Sequence, residues 1–136
     1  MKPNEKNVPI AAVILAAGKG TRMRSESAKV LHRLHGRPMV IFPIEAARAV
    51  GAEKIVLVVG HQADKVRKTV EKQEGDVLFV LQRHQLGTAH AVLQARRALN
   101  KFSGTVLILC GDVPLLTKDT LEALLDHHRR GGASVT

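Results

Sequence analysis

Two stretches that lie far apart in the sequence carry the side chains that could act on a polyphosphate. After the apolar run 10–15, the turn 16–20 contains Gly18 and Gly20, which let the backbone approach a ligand closely. Four cations lie in or just after this turn, at Lys19, Arg22, Arg24 and Lys29. Backbone N–H groups in a glycine-rich turn, together with cations, are typical of phosphate sites. The first stretch therefore predicts a nucleoside triphosphate site.

The second stretch contains the candidate metal ligand, Asp112, which follows the apolar run 106–110. Magnesium on a nucleotide takes only one or two protein carboxylates and fills its other positions with phosphate oxygens and water. One aspartate is thus enough to hold Mg²⁺, with Arg22 and Lys29 as catalytic cations on the phosphates. The alternative is that Asp112 only shapes a turn before Val113 and Pro114.

A polar loop at 82–88 is the candidate base-binding segment. The side-chain amides of Gln82 and Gln85 can pair with the polar edge of a base, and Gly87, before Thr88, permits close approach of the ring. A polar loop without a special role remains the alternative. The histidines have no spacing typical of a metal site, and Cys110 is predicted to pack within its strand rather than act as a nucleophile.

Neither common nucleotide-binding fingerprint matches the glycine-rich turn. The dinucleotide fingerprint needs a third glycine where this chain has Met23. The P-loop needs serine or threonine after Gly-Lys, and here Gly20 follows Lys19. The site therefore belongs to neither of these two classes.

Apolar runs alternate with helical patterns along the chain. The runs predict strands at 10–15, 55–59, 77–81 and 106–110, with the beginning of a fifth at 133–136. The helical patterns lie at 39–50, 63–72, 89–99 and from Thr117 to about 130, with inward-facing residues that include Val40, Ile44, Ala47, Val66, Val70, Ala89, Val92, Leu93, Leu99, Leu121, Leu124 and Leu125. This alternation predicts an α/β fold with a parallel sheet and helices on both faces. Ligands bind such sheets beyond the carboxyl ends of the strands, where all the candidate residues lie.

Composition limits the class of protein. With 136 residues, 45% of them hydrophobic, residues 9–136 are predicted to form one domain after a flexible tail at 1–8. No run is long enough for a membrane helix, and the tail lacks the apolar centre of a signal peptide. A single cysteine agrees with a reducing compartment, so the cytoplasm is the expected location.

The charge balance favours an anionic partner. Lys and Arg outnumber Asp and Glu by 21 to 12, which gives a net charge of +9. Nucleic acid is disfavoured, because single-strand recognition stacks bases on aromatic side chains and this chain has three Phe without Trp or Tyr. A small anionic ligand fits better.

Taken together, the motifs resemble the uridylyltransferase part of the bacterial N-acetylglucosamine-1-phosphate uridyltransferase family, whose full form also carries a glucosamine-1-phosphate acetyltransferase. The matching motifs, in order, are LAAGKGTRM at 15–23, KVLH at 29–32, GH at 60–61, LQ at 81–82, QLGTAHA at 85–91 and GDVPL at 111–115. The first motif is common among sugar nucleotidyltransferases. QLGTAHA with GDVPL favours this member over thymidylyl- or molybdopterin-type relatives.

The resemblance implies a Rossmann-like nucleotide-diphospho-sugar transferase fold and a Mg²⁺-dependent reaction that supplies cell-wall precursors. N-acetylglucosamine 1-phosphate would attack the α-phosphorus of UTP, giving UDP-N-acetylglucosamine and pyrophosphate. Arg22 and Lys29 would be catalytic, Asp112 would bind the metal, and Gly111 and Asp112 would bind substrate. The implied nucleotide-binding residues are Leu15, Ala16, Ala17, Gly18, Lys29, Gln82, Gly87 and Thr88.

Two departures from the family pattern lead to further expectations. The position before Gly111, often tyrosine in the family, is Cys110. The chain stops at Thr136, before the family's sugar-binding loops and its second metal ligand, so a truncated domain with weak UTP binding and incomplete turnover is expected. Full-length members are expected to be homo-oligomeric, and an unpaired sheet edge is expected to favour self-association here. The alternatives are another sugar-phosphate or MobA-like nucleotidyltransferase, a non-catalytic nucleotide-binding domain, or a basic nucleic-acid-binding module.

Overall fold

The computed structural model describes residues 8–136, so the predicted tail at 1–8 lies outside the described residues except for Val8. In chain order the helices and strands are β1 (Ile10–Ala16), β2 (Arg33–Leu34), β3 (Arg37–Pro38), α1 (Ile41–Ala49), β4 (Ala52–Val59), α2 (Ala63–Glu71), β5 (Val77–Leu81), α3 (Thr88–Gln94), β6 (Thr105–Cys110) and α4 (Lys118–Gly131). Two short 3₁₀ turns, Thr21–Met23 and Lys29–Leu31, lie between β1 and β2.

The four long strands form one parallel sheet in the order β5-β4-β1-β6. Strand β1 is central, with Ile14 opposite Leu57 of β4 on one side and Leu109 of β6 on the other. A parallel sheet needs a crossover between neighbouring strands, and the helices provide it. The predicted α/β fold is therefore confirmed. The antiparallel pair β2-β3, which follows Lys29, was not predicted.

The central strands β1 and β4 are covered on both faces of the sheet. In β1, the side chains of Ala12 and Ile14 pack in the larger cluster with residues of α1, α2 and α4. Val13 points to the opposite face, where it packs with Ala91 and Ala95 of the α3 region. Because side chains alternate in direction along a strand, burial of both faces explains why the runs of β1 and β4 are apolar throughout.

Helices α1 and α4 lie where the sequence indicates. Val40, Ile44 and Ala47 are fully buried, and Pro43 is in the first turn of α1, where a missing N–H costs nothing. Helix α4 is capped by Thr117, whose hydroxyl accepts a hydrogen bond from the N–H of Thr120 at 3.3 Å. None of the helices between residues 8 and 136 is long and apolar enough to cross a membrane.

The predicted inward face of the segment 89–99 was partly wrong: Leu99 packs against the smaller cluster, but two other predicted members face solvent. Leu93 is 63% exposed, and Ala89 is exposed as well. The helix ends at Gln94 and instead turns Ala91 and Ala95 toward the sheet. Ala89 and Leu93 have helical spacing, and so do Ala91 and Ala95. The second pair is the one that packs against the sheet. Leu124 of α4, also predicted to face inward, is 41% exposed.

Strand β6 is less buried than predicted, because it is an edge strand and the smaller apolar cluster contains residues of β1, β4 and the α3 region but none of β6. Val106, Ile108 and Cys110 are exposed on that face, so Cys110 is not packed. The predicted fifth strand at 133–136 is irregular and exposed, since within the described chain no strand pairs with it. Self-association through this edge stays a prediction.

Candidate functional site

The carboxyl ends of the four strands form one edge, where pairing continues beyond the strands. The N–H of Gly111 donates to the carbonyl of Leu15 at 2.8 Å, and the N–H of His61 donates to Ala17 at 3.1 Å. The N–H of Gln82 donates to the carbonyl of Val59 at 2.8 Å. These contacts fix the turns after β1, β4, β5 and β6 relative to one another.

A cleft of about 280 Å³ opens at this edge, between the end of β1 and the beginning of α3. Its lining consists of Leu15, Ala17, Gly18, Gln82, Gln85, Gly87, Thr88 and Ala91. Six of the residues predicted to bind nucleotide are in this set. Ala16 is not, because side chains alternate along β1 and its methyl group is buried in the core on the opposite face. The expectation that Ala16 faces a nucleoside is corrected accordingly.

Three backbone segments approach one another closely beside this cleft. A Cβ at Gly60 would stand 2.9 Å from both the Cβ and the carbonyl oxygen of Ala17, and 3.1 Å from the carbonyl oxygen of Gln82. Only glycine fits there without displacing β1. The side-chain nitrogen of Gln85 donates to the same Ala17 carbonyl at 2.6 Å, and this bond ties the loop 82–88 to the end of β1.

Gln82 is 4% exposed, and its amide is held from two sides. Its Nε2 lies 3.2 Å from the carbonyl oxygen of Gly87 and 2.9 Å from Nδ1 of His90. On the far side of the imidazole, Nε2 of Gln94 lies 3.2 Å from Nε2 of His90. A buried polar side chain with this many contacts has a defined orientation.

Beside the cleft, Lys29 and Asp112 form an ion pair with 2.7 Å between Nζ and Oδ2. Their side chains are 37% and 34% exposed, so both are open to a ligand. The turn after β1 lies directly on Lys29: Gly20 has φ 63°, and a Cβ there would stand 2.5 Å from the Cβ of Lys29. The loop from Gly18 to Gly20 thus connects the cleft with the ion pair.

The candidate residues at this edge of the sheet form two adjacent groups, the cleft and the Lys29–Asp112 ion pair. Gly111 and Asp112 follow β6, and Lys29 reaches Asp112 across 83 positions of sequence. Neither Lys29 nor Asp112 lines the cleft. Arg22 is exposed in the 3₁₀ turn of the loop and makes no hydrogen bond or ion pair with any residue in the described part of the chain.

The side chains near Asp112 fit a metal that arrives with a nucleotide rather than a preformed metal centre. Across residues 8–136 there is no group of three or more His, Cys, Asp or Glu side chains that could hold a metal ion. A single accessible carboxylate is what a nucleotide-bound Mg²⁺ requires, because phosphate oxygens and water complete its shell.

Sequence reasoning missed two residues that support the site. The side chain of Gln62 accepts a hydrogen bond from the N–H of Ala28 at 2.9 Å and donates to the carbonyl of Glu26, which fixes the loop before Lys29. His90 was considered only as a metal ligand. The contacts of Gln62 span 34 and 36 positions, so no local spacing could have indicated them, whereas His90 lies within the QLGTAHA motif at 85–91.

Comparison with known proteins shows the family to which the chain belongs. The model of the MobA-like NTP transferase domain matches residues 12–136. The bifunctional protein GlmU of Pelobacter propionicus is 60% identical over 127 residues, which are 93% of this chain and 27% of that protein. Its namesake in Geobacter metallireducens is 56% identical, over 93% of this chain and 26% of that protein. The chain thus spans about a quarter of the length of these curated relatives.

Among solved structures, a nucleotidyl transferase from Methanothermobacter thermautotroptrophicus superposes with a TM-score of 0.75 at 27% identity, covering 89% of this chain and 58% of that one. The resemblance recognised from the six motifs is confirmed by the GlmU relatives. Since the domain model covers nearly the whole chain and a solved nucleotidyl transferase shares its fold, the chain belongs to the family of MobA-like NTP transferase domains.

Proposed function

We propose that this chain is the nucleotide-binding part of a uridylyltransferase that forms UDP-N-acetylglucosamine and pyrophosphate from UTP and N-acetylglucosamine 1-phosphate. High identity to relatives named bifunctional protein GlmU supports this choice within the family. Because the chain spans about a quarter of those relatives, the complete reaction is proposed for the protein that carries this chain.

The observation that carries the proposal is the convergence of distant motifs on one cleft. Leu15, Ala17 and Gly18 come from the first motif, and Gln82, Gly87 and Thr88 come from motifs about 70 residues later. All six line the same space, next to the Lys29–Asp112 pair. A base in the cleft and a triphosphate along the Gly18–Gly20 loop would bring phosphates toward both charges.

In the proposed reaction, a phosphate oxygen of the sugar phosphate bonds to the α-phosphorus of UTP. The bond from that phosphorus to the oxygen bridging to the β-phosphate breaks, and pyrophosphate leaves with that oxygen. Negative charge is redistributed over the phosphate oxygens during this transfer, and the cations of Lys29 and Arg22 stabilise it. Asp112 would hold Mg²⁺, which neutralises phosphate charge when bound.

Before a ligand binds, Lys29 and Asp112 neutralise each other in the ion pair. Both side chains are accessible, so a metal can replace the ammonium at Asp112 while a phosphate replaces the carboxylate at Lys29. The exchange conserves charge pairing, which keeps its cost small. The same proposal includes Mg²⁺ as the specific metal and the cytoplasm as the location. It also includes homo-oligomers and a place in cell-wall precursor synthesis.

Calorimetric titration of the chain with UTP tests the binding part of this proposal. With Mg²⁺ present, UTP is expected to bind, and Asp112→Asn is expected to weaken binding about tenfold because the metal loses the Asp112 carboxylate. In EDTA this difference should disappear. Glu122→Gln, which removes an exposed carboxylate of α4, is the matched control and should behave as the unsubstituted chain.

Pyrophosphate release then tests the transferase part. In the protein that carries this chain, release is expected to require UTP, Mg²⁺ and the sugar phosphate together, and Asp112→Asn should suppress it. UTP binding with no pyrophosphate release under any of these conditions would favour a domain that only binds nucleotide.

A further inference from the structure

We propose that His90 is a positioning residue that determines which pyrimidine the cleft accepts. It does so by holding the Gln82 amide with its nitrogen turned inward and its oxygen left for the base. This inference rests on the proposed function, because it takes the cleft to be the site of the base of a nucleoside triphosphate.

The carbonyl of Gly87 establishes the orientation of the amide. A carbonyl oxygen can only accept a hydrogen bond, so the Gln82 atom 3.2 Å away must be the nitrogen. Oxygen and nitrogen of an amide are distinguished by such contacts, and here the contact leaves one choice. The Gln82 nitrogen therefore faces Gly87.

His90 receives the second hydrogen of the same nitrogen. Its Nδ1 is 2.9 Å from the Gln82 nitrogen, so Nδ1 must be the acceptor and the neutral ring must carry its proton on Nε2. The side-chain amide of Gln94 lies 3.2 Å from Nε2 on the other side of the ring. The same Gln94 nitrogen donates to the backbone carbonyl oxygen of His90 at 3.1 Å, which keeps the nitrogen on this side. With the proton on Nε2 the contact between the two nitrogens is not a hydrogen bond, so the His90 ring is held through Nδ1 by Gln82.

With both hydrogens of its nitrogen engaged, Gln82 has only its oxygen left. Oε1 forms no hydrogen bond with residues 8–136, and Gln82 lines the cleft. An amide oxygen needs a donor, and N3 of uracil carries a hydrogen whereas N3 of cytosine does not. A fixed oxygen therefore favours uracil. Without His90, the amide is held only by the longer contact to Gly87 and can turn to present its nitrogen to cytosine.

The test is the ratio of the dissociation constants of CTP and UTP, measured by calorimetry with Mg²⁺. The unsubstituted chain should prefer UTP. His90→Leu, which has no acceptor, should lower the ratio about tenfold, because one buried hydrogen bond no longer orients the amide. His90→Asn should restore most of the preference, because its amide oxygen can accept near the place of Nδ1. Lys29→Met, the control, should weaken both nucleotides and leave the ratio unchanged.

The outcomes separate this inference from the proposed function. If the unsubstituted chain binds neither nucleotide, the proposed function fails together with this inference. If it prefers UTP and folded His90→Leu retains the full preference, only the inference is overturned. Should His90→Leu not fold, the ¹⁵N shifts of the unsubstituted His90 ring decide: an unprotonated Nδ1 with a protonated Nε2 supports the inference, and the opposite tautomer contradicts it.

Discussion

The cleft and the Lys29–Asp112 ion pair, which the Gly18–Gly20 loop connects, are held by different kinds of interaction. The cleft contains neutral amides, with Gln82 almost fully buried and held by directional hydrogen bonds. Lys29 and Asp112 are charged and about one-third exposed. A buried polar group is costly to misalign, whereas an exposed ion pair contributes little to stability and is weakened by salt. The geometry of the cleft can therefore select a base, while the ion pair serves to exchange partners.

The largest effect is expected from Gly60→Ala, which displaces two residues of the cleft lining, Ala17 and Gln82. The new methyl group would collide with the backbone of Ala17 and Gln82, so β1 and the 82–88 loop must move apart. We expect the free energy of unfolding to fall by about 1–3 kcal/mol. We also expect a larger loss of UTP affinity than any substitution of Lys29 or Asp112 causes. Thermal unfolding and UTP titration measure the two effects.

Gly75→Ala is the control for that substitution, because a Cβ at Gly75 meets no atom within 4 Å. It should leave both stability and UTP affinity unchanged. Equal behaviour of the two variants would show that the contact between Gly60 and Ala17 does not shape the cleft.

A smaller loss of UTP affinity is expected from Gln82→Leu and from Lys29→Met, and the two losses should differ in their dependence on salt. Loss of the buried amide should weaken UTP binding about tenfold at every salt concentration, since short hydrogen bonds inside the cleft are not screened. The loss caused by Lys29→Met should instead shrink as salt rises. Titrations at low and high salt measure both dependences, and identical salt responses would remove the distinction between the two groups.

The smallest effect concerns the metal without nucleotide. Lys29→Met removes the cation that competes for Asp112, so Mn²⁺ alone should bind more tightly, by about two- to fivefold for an exposed pair. Paramagnetic relaxation of water protons measures this binding. Lys118→Met, which breaks the exposed pair with Glu122 on α4, should not change it. Weaker Mn²⁺ binding to Lys29→Met would mean that Lys29 supports the metal rather than competes with it.

Much of the fold could be predicted because each strand of this parallel sheet, central or edge, is an apolar run. The runs at 77–81 and 106–110, which form the two edge strands, were found nearly to the residue. Exposure could not be predicted in the same way, because it depends on strand order. The exposed Cys110 lies on an edge strand, and no local pattern distinguishes an edge from a centre.

The candidate site was predicted where a residue's role follows from its place after a strand. Gly18, Gln82 and Asp112 all lie at carboxyl ends, which meet at one edge in any parallel sheet. Ala16 was misplaced because the motif gives residue types but not the face to which each side chain points. Gln62 could not be found in this way, because its hydrogen bond to Ala28 spans 34 positions, whereas His90 lies in the QLGTAHA motif and only its contact with Gln82 required the folded chain.

The most direct test of the account is a crystal structure of the chain with UTP and Mn²⁺. We expect the uracil ring in the cleft beside Gln82 and Gly87, the phosphates along the Gly18–Gly20 loop, and an anomalous peak for Mn²⁺ at the carboxylate of Asp112 with its bond to Lys29 broken. A nucleotide bound outside this cleft, or a metal with no contact to Asp112, would contradict it.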